Sequence, residues 1–196
     1  MESVTEFFGS VHAKYGTVWM IGQVFGMIAT ILGFISYQVR TKRQLLFMQS
    51  SVAAAFCVHY LLIGAYSGMA TNAVNILRNV IYDKCAQRGY KSRWIPLIFV
   101  AIQCVMCALT WEAWYSVFVL VGAVTHTYCM SLDSPQDVRK SILIVSPSVF
   151  TYDVFARSVG GIIYEPVALV SAIVGMLKYR KTMRTKVSGE ELKSKR

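Results

Sequence analysis

The feature that most constrains the fold is a series of apolar stretches that follow one another along almost the whole chain. Hydrophobic residues make up 55% of the 196 residues and charged residues only 15%, and the mean hydropathy is +0.48. Stretches of this length in lipid must be helical, because the bilayer core offers the backbone no hydrogen-bond partners. The sequence therefore predicts an all-α membrane protein with seven transmembrane helices, at residues 18–38, 44–64, 68–83, 94–110, 113–131, 141–157 and 161–178.

The positions of the basic residues predict how these helices cross the membrane. If the N-terminus lies outside, 17 of the 20 Lys and Arg residues fall in cytoplasmic loops and in the C-terminal tail. This distribution is the positive-inside signal, so we expect an external N-terminus and a cytoplasmic C-terminus. It explains the net charge of +10 without a nucleic-acid partner, since no surface of interleaved aromatic and basic residues accompanies it. The predicted partner is the lipid bilayer, and the basic tail could also contact anionic headgroups.

The sequence gives no indication of catalysis. It contains no nucleophile, nucleotide-binding or zinc-protease motif, so we predict neither an enzyme nor a cofactor or bound metal. The five cysteines are expected to stay reduced, and Cys104 and Cys107 are expected to be packing residues rather than a redox pair. Glu2 and Glu6 precede the first apolar stretch, and there is no basic segment of the kind that starts a signal peptide. The first helix is therefore expected to remain in the mature protein.

The two halves of the chain resemble each other at an offset of 93 residues. Helices one to three then match helices five to seven, and the fourth helix links them, so each half crosses the membrane in the same direction. The expected architecture is a 3+1+3 arrangement of two parallel three-helix repeats. The aligned pairs are Gly68 with Gly161, Asn72 with Glu165 and, after a one-residue gap, Phe56 with Phe150 and His59 with Asp153.

This repeat divides the chain into five predicted parts. They are an extracytoplasmic segment at 1–17, a first bundle at 18–83, a cytoplasmic loop with the linker helix at 84–112, a second bundle at 113–180, and a basic cytoplasmic tail at 181–196.

The first half carries a motif that points to a family. Residues 56–79 read F-x-x-H-Y-L-L-I-G-A-Y-S-G-x-x-x-N-x-x-x-x-x-R-N, and residues 158–165 read SVGGIIYE. With the apolar helices around them, these resemble the YgjV family of bacterial inner-membrane proteins, which is related to the SWEET and PQ-loop transporters. The resemblance implies a multi-pass protein of the bacterial inner (plasma) membrane and suggests transport, because SWEET relatives move sugars and PQ-loop relatives move amino acids or similar solutes.

Two departures from the family pattern limit what the resemblance implies. Tyr37 and Gln38 stand where PQ-loop proteins have the proline-glutamine pair, so a proline hinge is not expected there. Asp153 stands where a histidine or another neutral polar residue is expected. A substrate class is therefore not transferred.

The third predicted helix carries a polar stripe. On a helix, Gly68, Asn72, Asn75 and Asn79 fall within about 60° of one another. Amides that face lipid would lack hydrogen-bond partners at a cost of roughly 1–3 kcal/mol each, so the stripe must face protein or water. It could form interhelical hydrogen bonds, or it could line a substrate pathway, and the sequence favours neither alternative.

His59, Asp153 and Glu165 are ionisable residues within apolar helices. They are predicted to lie with Asn72 at a similar depth in the outer half of the membrane, two residues from each repeat, which is typical of a pathway. A structural alternative remains: His59 could bond a backbone carbonyl, and Asp153 could pair with Arg157 at the i, i+4 spacing. For Glu165 as well, the sequence leaves both the pathway and the structural alternative open.

Two further polar residues are expected to have no role in a pathway. Arg78 lies two turns from the predicted cytoplasmic end of its helix, where it would extend its charge to the interface or pair with Asp83. His126 does not align with His59 in the repeat and is expected to be a packed or interfacial histidine.

The leading hypothesis is a SWEET-like transporter that moves a small polar solute, such as a sugar or an amino acid, by alternating access between the two bundles. Its hinges would be Gly64, Gly68, Gly160 and Gly161, and His59 could make transport sensitive to pH. The alternative is a non-transporting membrane protein whose polar residues serve helix packing or which recruits a partner. The small residues at 53–55 are compatible with a homo-oligomer.

Overall fold

The computed structural model describes residues 4–36, 38–39, 41–90, 92–132 and 134–194. Within these ranges the chain forms seven α-helices and no strand. The predicted residues Glu2 and Tyr37 and the last two positions of the tail lie outside the described residues. The helices are α1 Val4–Ser36, α2 Lys42–Ile63, α3 Tyr66–Gln87, α4 Trp94–Leu109, α5 Ser116–Ser131, α6 Pro135–Phe155 and α7 Val159–Ser194.

The prediction of seven helices is confirmed, and the ends of several helices have clear causes. Thr41 caps α2, because its hydroxyl accepts a hydrogen bond from the Gln44 N–H at 3.2 Å. Gly64 ends α2 in the left-handed conformation with φ 80°. Ser134 caps α6 and accepts from the Gln136 N–H at 3.2 Å. A proline at the first position then starts the helix at no cost in hydrogen bonds.

Three helical segments are long and apolar enough to cross a membrane: Gly16–Ser36, Lys42–Ile63 and Val159–Leu177. Trp94–Leu109 and Ser116–Ser131 are apolar but shorter. The first crossing begins close to the predicted boundary because α1 breaks at Gly16, where φ is 79° and ψ is 163°. The seventh helix does not end with its apolar part but continues through the predicted tail to Ser194.

The helices pack as a closed ring of six with one helix outside. Around the ring, α1 packs on α2, α2 on α3, α3 on α5, α5 on α6, α6 on α7, and α7 again on α1. The remaining helix, α4, packs against the outside of α3 and α5. The lipid-facing surface carries large apolar side chains, of which Phe47 at 71% and Leu109 at 76% are among the most exposed.

The contact between α1 and α7 closes the ring, and it depends on glycines. Gly26 and Gly160 bring the two backbones together so closely that a Cβ atom on Gly160 would lie 2.5 Å from the Gly26 Cα atom. The Thr30 hydroxyl lies within hydrogen-bond distance of both glycine carbonyl oxygens, at 2.9 Å and 3.2 Å. The Gln23 side chain accepts from the Gly160 N–H at 3.2 Å. Small residues of this kind let membrane helices approach closely.

The four glycines predicted as hinges fall into two classes. Gly64 alone has the left-handed backbone conformation and open space around it. Gly68, Gly160 and Gly161 lie in the first turns of α3 and α7, where the missing side chain makes room for a neighbour. Gly68 packs on the Tyr60 ring, and Gly161 packs on the Asp153 carboxylate. Movement at these positions stays a prediction.

The ring closure leads to a first testable prediction. Gly160→Ala should lower the Tm of the purified protein, because the added methyl group meets the rigid backbone of α1, and overpacking of this kind costs about 1–3 kcal/mol. Gly175→Ala in the same helix is the matched control, since its nearest neighbour is the flexible Arg139 side chain, with Nε 2.7 Å from the added atom. Thermal unfolding followed by tryptophan fluorescence would measure both. Equal Tm values for the two variants would contradict the proposed role of the crossing.

Candidate functional site

A cavity of about 90 Å³ lies inside the ring. Residues of α2, α3, α5, α6 and α7 line it, whereas α1 and α4 do not contribute. Ten of the nineteen residues that line it are polar or ionisable, and ionisable residues are rare within membrane segments. The polar and ionisable residues that line it are Gln49, Tyr60, Thr71, Asn72, Asn75, Arg78, Asn79, His126, Tyr164 and Glu165.

The asparagine stripe of α3 faces this cavity. Asn72, Asn75 and Asn79 all contribute to its lining. Each amide also has a partner within the protein: Asn72 Nδ2 donates to the Gly68 carbonyl at 2.9 Å, and Asn75 Oδ1 accepts from Gln103 Nε2 at 3.0 Å. Of the two alternatives left open by the sequence, interhelical bonding therefore holds for Asn75, which bonds Gln103 of α4, while the role of the stripe in a pathway stays a prediction.

Arg78 lies in the cavity wall and not at the membrane interface. Arg78 is only 1% exposed. Its guanidinium donates to Asn79 Oδ1 through Nε at 3.1 Å and Nη2 at 2.9 Å, and to Thr127 Oγ1 through Nη1 at 2.8 Å. The prediction that Arg78 extends to the interface or pairs with Asp83 is wrong. Asp83 instead lies 3.9 Å from Arg43 and accepts from Gln87.

His126 also lies in the cavity wall, although the sequence predicted that it has no role in a pathway. It is 8% exposed and lines the same cavity from α5. Its Nδ1 atom is buried and has no hydrogen-bond partner. We refer to Arg78, Asn79, Thr127 and His126 as the guanidinium end of the cavity. The only sequence signal for this cluster was Asn79, which belongs to the predicted stripe.

A second cluster lies at the turns between α2 and α3 and between α6 and α7. We call this cluster the turn layer; it consists of His59, Tyr60, Tyr152, Asp153 and Ser158. His59 does not line the cavity. Its Nδ1 lies 2.7 Å from the Gly22 carbonyl oxygen and its Nε2 lies 2.7 Å from the Ser158 hydroxyl.

The hydrogen bond to Gly22 places a proton on the ring of His59. A carbonyl oxygen can only accept, so Nδ1 must carry a proton, and in a neutral ring Nε2 accepts from Ser158. The structural alternative for His59, a bond to a backbone carbonyl, is therefore confirmed. This residue joins α1, α2 and the turn before α7.

Asp153 is also buried in the turn layer and outside the cavity lining. Its Oδ1 accepts a hydrogen bond from the Tyr60 hydroxyl at 2.7 Å, and its Oδ2 has no partner. The predicted pair with Arg157 does not form. The helix α6 ends at Phe155, and Arg157 has a φ of 55°, so the helical i, i+4 geometry does not extend to it. Only Asn72 and Glu165 of the four residues predicted at one depth line the cavity.

Glu112, in the loop between α4 and α5, extends this network. Its Oε1 accepts from the Ser67 N–H at 2.8 Å, and its Oε2 lies 3.5 Å from the Tyr152 hydroxyl. The Tyr152 hydroxyl in turn accepts from the Gly68 N–H at 2.9 Å. The carboxylate thus satisfies free N–H groups in the first turn of α3. Burial raises the pKa of Glu112 above its usual range, although the hydrogen bonds to the carboxylate partly oppose this shift.

These observations define a helical membrane protein with a cavity that polar residues line, inside a ring of helices whose outer surface is apolar. The family can be stated more closely, because the family model Imp-YgjV, described as bacterial inner membrane protein, matches residues 20–183. The chain belongs to this family, and it is a protein of the bacterial inner membrane. Neither a curated protein nor a solved structure gives a significant match.

The raised pKa of Glu112 gives a prediction about stability and pH. The folded chain holds this proton more tightly than the unfolded chain, so protonation favours folding, and this contribution is lost as pH rises from about 4.5, the ordinary value, through the raised value. Glu112→Gln keeps an oxygen for the Ser67 N–H and does not titrate. The Tm of this variant relative to the wild type should therefore increase between pH 4.5 and pH 7. A difference that stays constant over this range would contradict the assignment.

Proposed function

We propose that this protein moves a small polar solute across the bacterial inner membrane through the central cavity. The observation that carries the proposal is the cavity itself, because ten polar or ionisable side chains line it within a ring of helices whose outer surface is apolar. Polar groups in such a position typically mark a solute or ion pathway. The proposal includes no enzymatic step and no cofactor.

Hydrogen bonds between helices close the cavity at the turn layer. His59 of α2 bonds Ser158 before α7, and Tyr60 of α2 bonds Asp153 of α6. In the opposite direction, Tyr152 of α6 bonds the Gly68 N–H at the start of α3. A path to this side would open only if these bonds break together. In the proposed orientation, with the N-terminus outside, this is the external side.

The guanidinium end forms the other closure. Asn79 belongs both to the central cavity and to a groove between α2 and α3, whose charged lining includes Arg43, Asp83 and Lys84. Asn79 therefore lies in the wall that the cavity and the groove share. A change in the Arg78–Asn79 contact would connect the two spaces, on the side that the proposal places in the cytoplasm.

The size of the cavity agrees with a closed state. Its volume of about 90 Å³ is well below the roughly 300–1,000 Å³ of ordinary ligand sites. A sugar or amino acid would enter only after the helices move apart. Alternating access of this kind is the proposed mechanism, with one closure broken at a time.

The pattern of packing supports the proposed 3+1+3 repeat. The pairs α1–α2 and α2–α3 have counterparts in α5–α6 and α6–α7, and the α1–α7 contact has its counterpart in α3–α5. Gly68 packs on Tyr60 and Gly161 packs on Asp153, in each case a residue eight positions earlier. This equivalence favours a continuous offset of 93 residues, which overlays Tyr60 and not His59 on Asp153. The SWEET-like relationship remains part of this proposal.

One observation favours the alternative function for part of the molecule. Both ring nitrogens of His59 are bonded within the protein, and neither His59 nor Asp153 lines the cavity. These two residues have the contacts expected of helix packing. A non-transporting protein that needs only this packing would use the turn layer but would have no need of the cavity.

The transport proposal predicts the effect of filling the cavity. Asn72→Leu places an apolar side chain where the amide now faces the cavity, so uptake into proteoliposomes should fall about tenfold or more, as expected for the loss of 1–3 kcal/mol of polar interaction. Ala73→Leu is the matched control, because its residue is exposed on the same helix. A panel of radiolabelled sugars and amino acids would identify the transported solute first.

Two outcomes would contradict the proposal. One is no uptake of any solute by the folded wild-type protein. The other is equal uptake by Asn72→Leu and Ala73→Leu when both have the Tm of the wild type. Either outcome would favour the packing function.

A further inference from the structure

The guanidinium end contains a buried positive charge without a carboxylate partner. Arg78 is 1% exposed, and its three hydrogen bonds go to neutral oxygens of Asn79 and Thr127. Neither of the ion pairs found in the described part of the chain includes it. A buried charge is costly unless it is paired, and a guanidinium carries five N–H donors, of which three are used here. Two donors and the charge remain for a partner.

The neighbouring residues add further donors to the same place. The guanidinium can only donate, so the Asn79 amide must turn its oxygen toward it, and its Nδ2 group is left. This Nδ2 group and the Nδ1 atom of His126 are both buried, and neither has a hydrogen-bond partner. Asn79 is 1% exposed and His126 is 8% exposed, and both line the cavity with Arg78. Arg78 and Asn79 thus offer donors to one small space, and His126 adds another in the tautomer that carries its proton on Nδ1.

The remaining ionisable groups of the cavity do not neutralise this charge. They are Tyr60, Tyr164 and Glu165. The Tyr60 hydroxyl donates a hydrogen bond to Asp153 in the turn layer. Glu165 lies six residues after the start of α7, and Asn72 likewise lies six residues after the start of α3. Arg78 lies six residues beyond Asn72, or about 9 Å along the helix. The cavity therefore has an acidic group at one end and an unneutralised cation at the other.

We propose that the guanidinium end binds a small oxyanion, such as the carboxylate of a small organic acid. Two oxygens on one carbon match the planar guanidinium and the adjacent amide better than a spherical ion does. The cavity volume of about 90 Å³ limits the bound group to a few heavy atoms in this closed state. The inference rests on the proposed function, because it names the charge of the transported solute. The site itself can be tested by binding measurements alone.

The test uses the full chain in nanodiscs of neutral phosphatidylcholine, so that anionic lipid does not compete. The Tm is measured while acetate replaces chloride at constant ionic strength, and acetamide serves as the uncharged analogue of the same shape. A ligand that binds only the folded state raises the Tm with its concentration. We expect acetate to raise the Tm and acetamide to have no effect.

Variants then locate the site. Arg78→Gln should weaken acetate binding about tenfold or more, the usual effect of losing a hydrogen bond to a charged group. Arg88→Gln, which removes the same charge from an exposed position after α3, should bind acetate as the wild type does. If Arg78→Gln does not fold, His126→Phe decides the question, because His126 Nδ1 has no partner within the protein to lose.

Some results would overturn the inference while leaving transport in place. These are equal stabilisation by acetate, chloride and acetamide, or unchanged acetate binding in a folded Arg78→Gln or His126→Phe variant. Uptake of a neutral solute by the same protein would then support transport without the oxyanion site. Acetate binding without uptake of any solute would support the site and contradict transport.

Discussion

The close contact between α1 and α7 is the interaction on which the rest of the structure depends. It closes the ring of helices, and it exists because Gly26 and Gly160 have no side chains at the crossing. In lipid, a polar group must find its partner within the protein. If the ring were open between α1 and α7, the bonds of Gln23 and Thr30 to Gly160 would be lost, and the turn that carries Ser158 would no longer be held beside His59. The glycine contact therefore makes a polar interior compatible with a membrane environment.

Within this ring, the buried polar groups divide by how completely they are bonded. In the turn layer, donors and acceptors alternate: His59 bonds a carbonyl and a hydroxyl, and Tyr60 bonds a carboxylate. At the guanidinium end, donors outnumber acceptors around Arg78. The turn layer leaves one acceptor, Oδ2 of Asp153, without a partner, whereas the guanidinium end leaves donors of Arg78 and Asn79, so a ligand that accepts hydrogen bonds fits the guanidinium end. The two clusters have different physical roles although both contain ionisable residues.

The sequence was sufficient to predict the number of helices and the asparagine stripe, because hydropathy and helical periodicity are local properties. It was not sufficient to separate His59 from the cavity, since this depends on the contact with Ser158, 99 positions away. Arg78 was misjudged for a similar reason. Its distance from the helix end suggested an interfacial position, but α5 brings Thr127 to its guanidinium. The Arg157 prediction failed locally, because α6 ends two residues earlier.

The two halves of the chain contribute different residues to the cavity, so its two ends differ in chemistry. At the proposed offset, Asn75 and Asn79 of α3 correspond to Ala168 and Ala172 of α7, which are buried at 1% and 0% exposure. Arg78 corresponds to Ser171, whose hydroxyl accepts from Gln38 Nε2 at 2.8 Å and does not line the cavity. Only α7 contributes the acid, Glu165, and only α3 contributes the guanidinium. A charged solute would therefore experience a field along the cavity axis, which a symmetric pair of repeats would cancel.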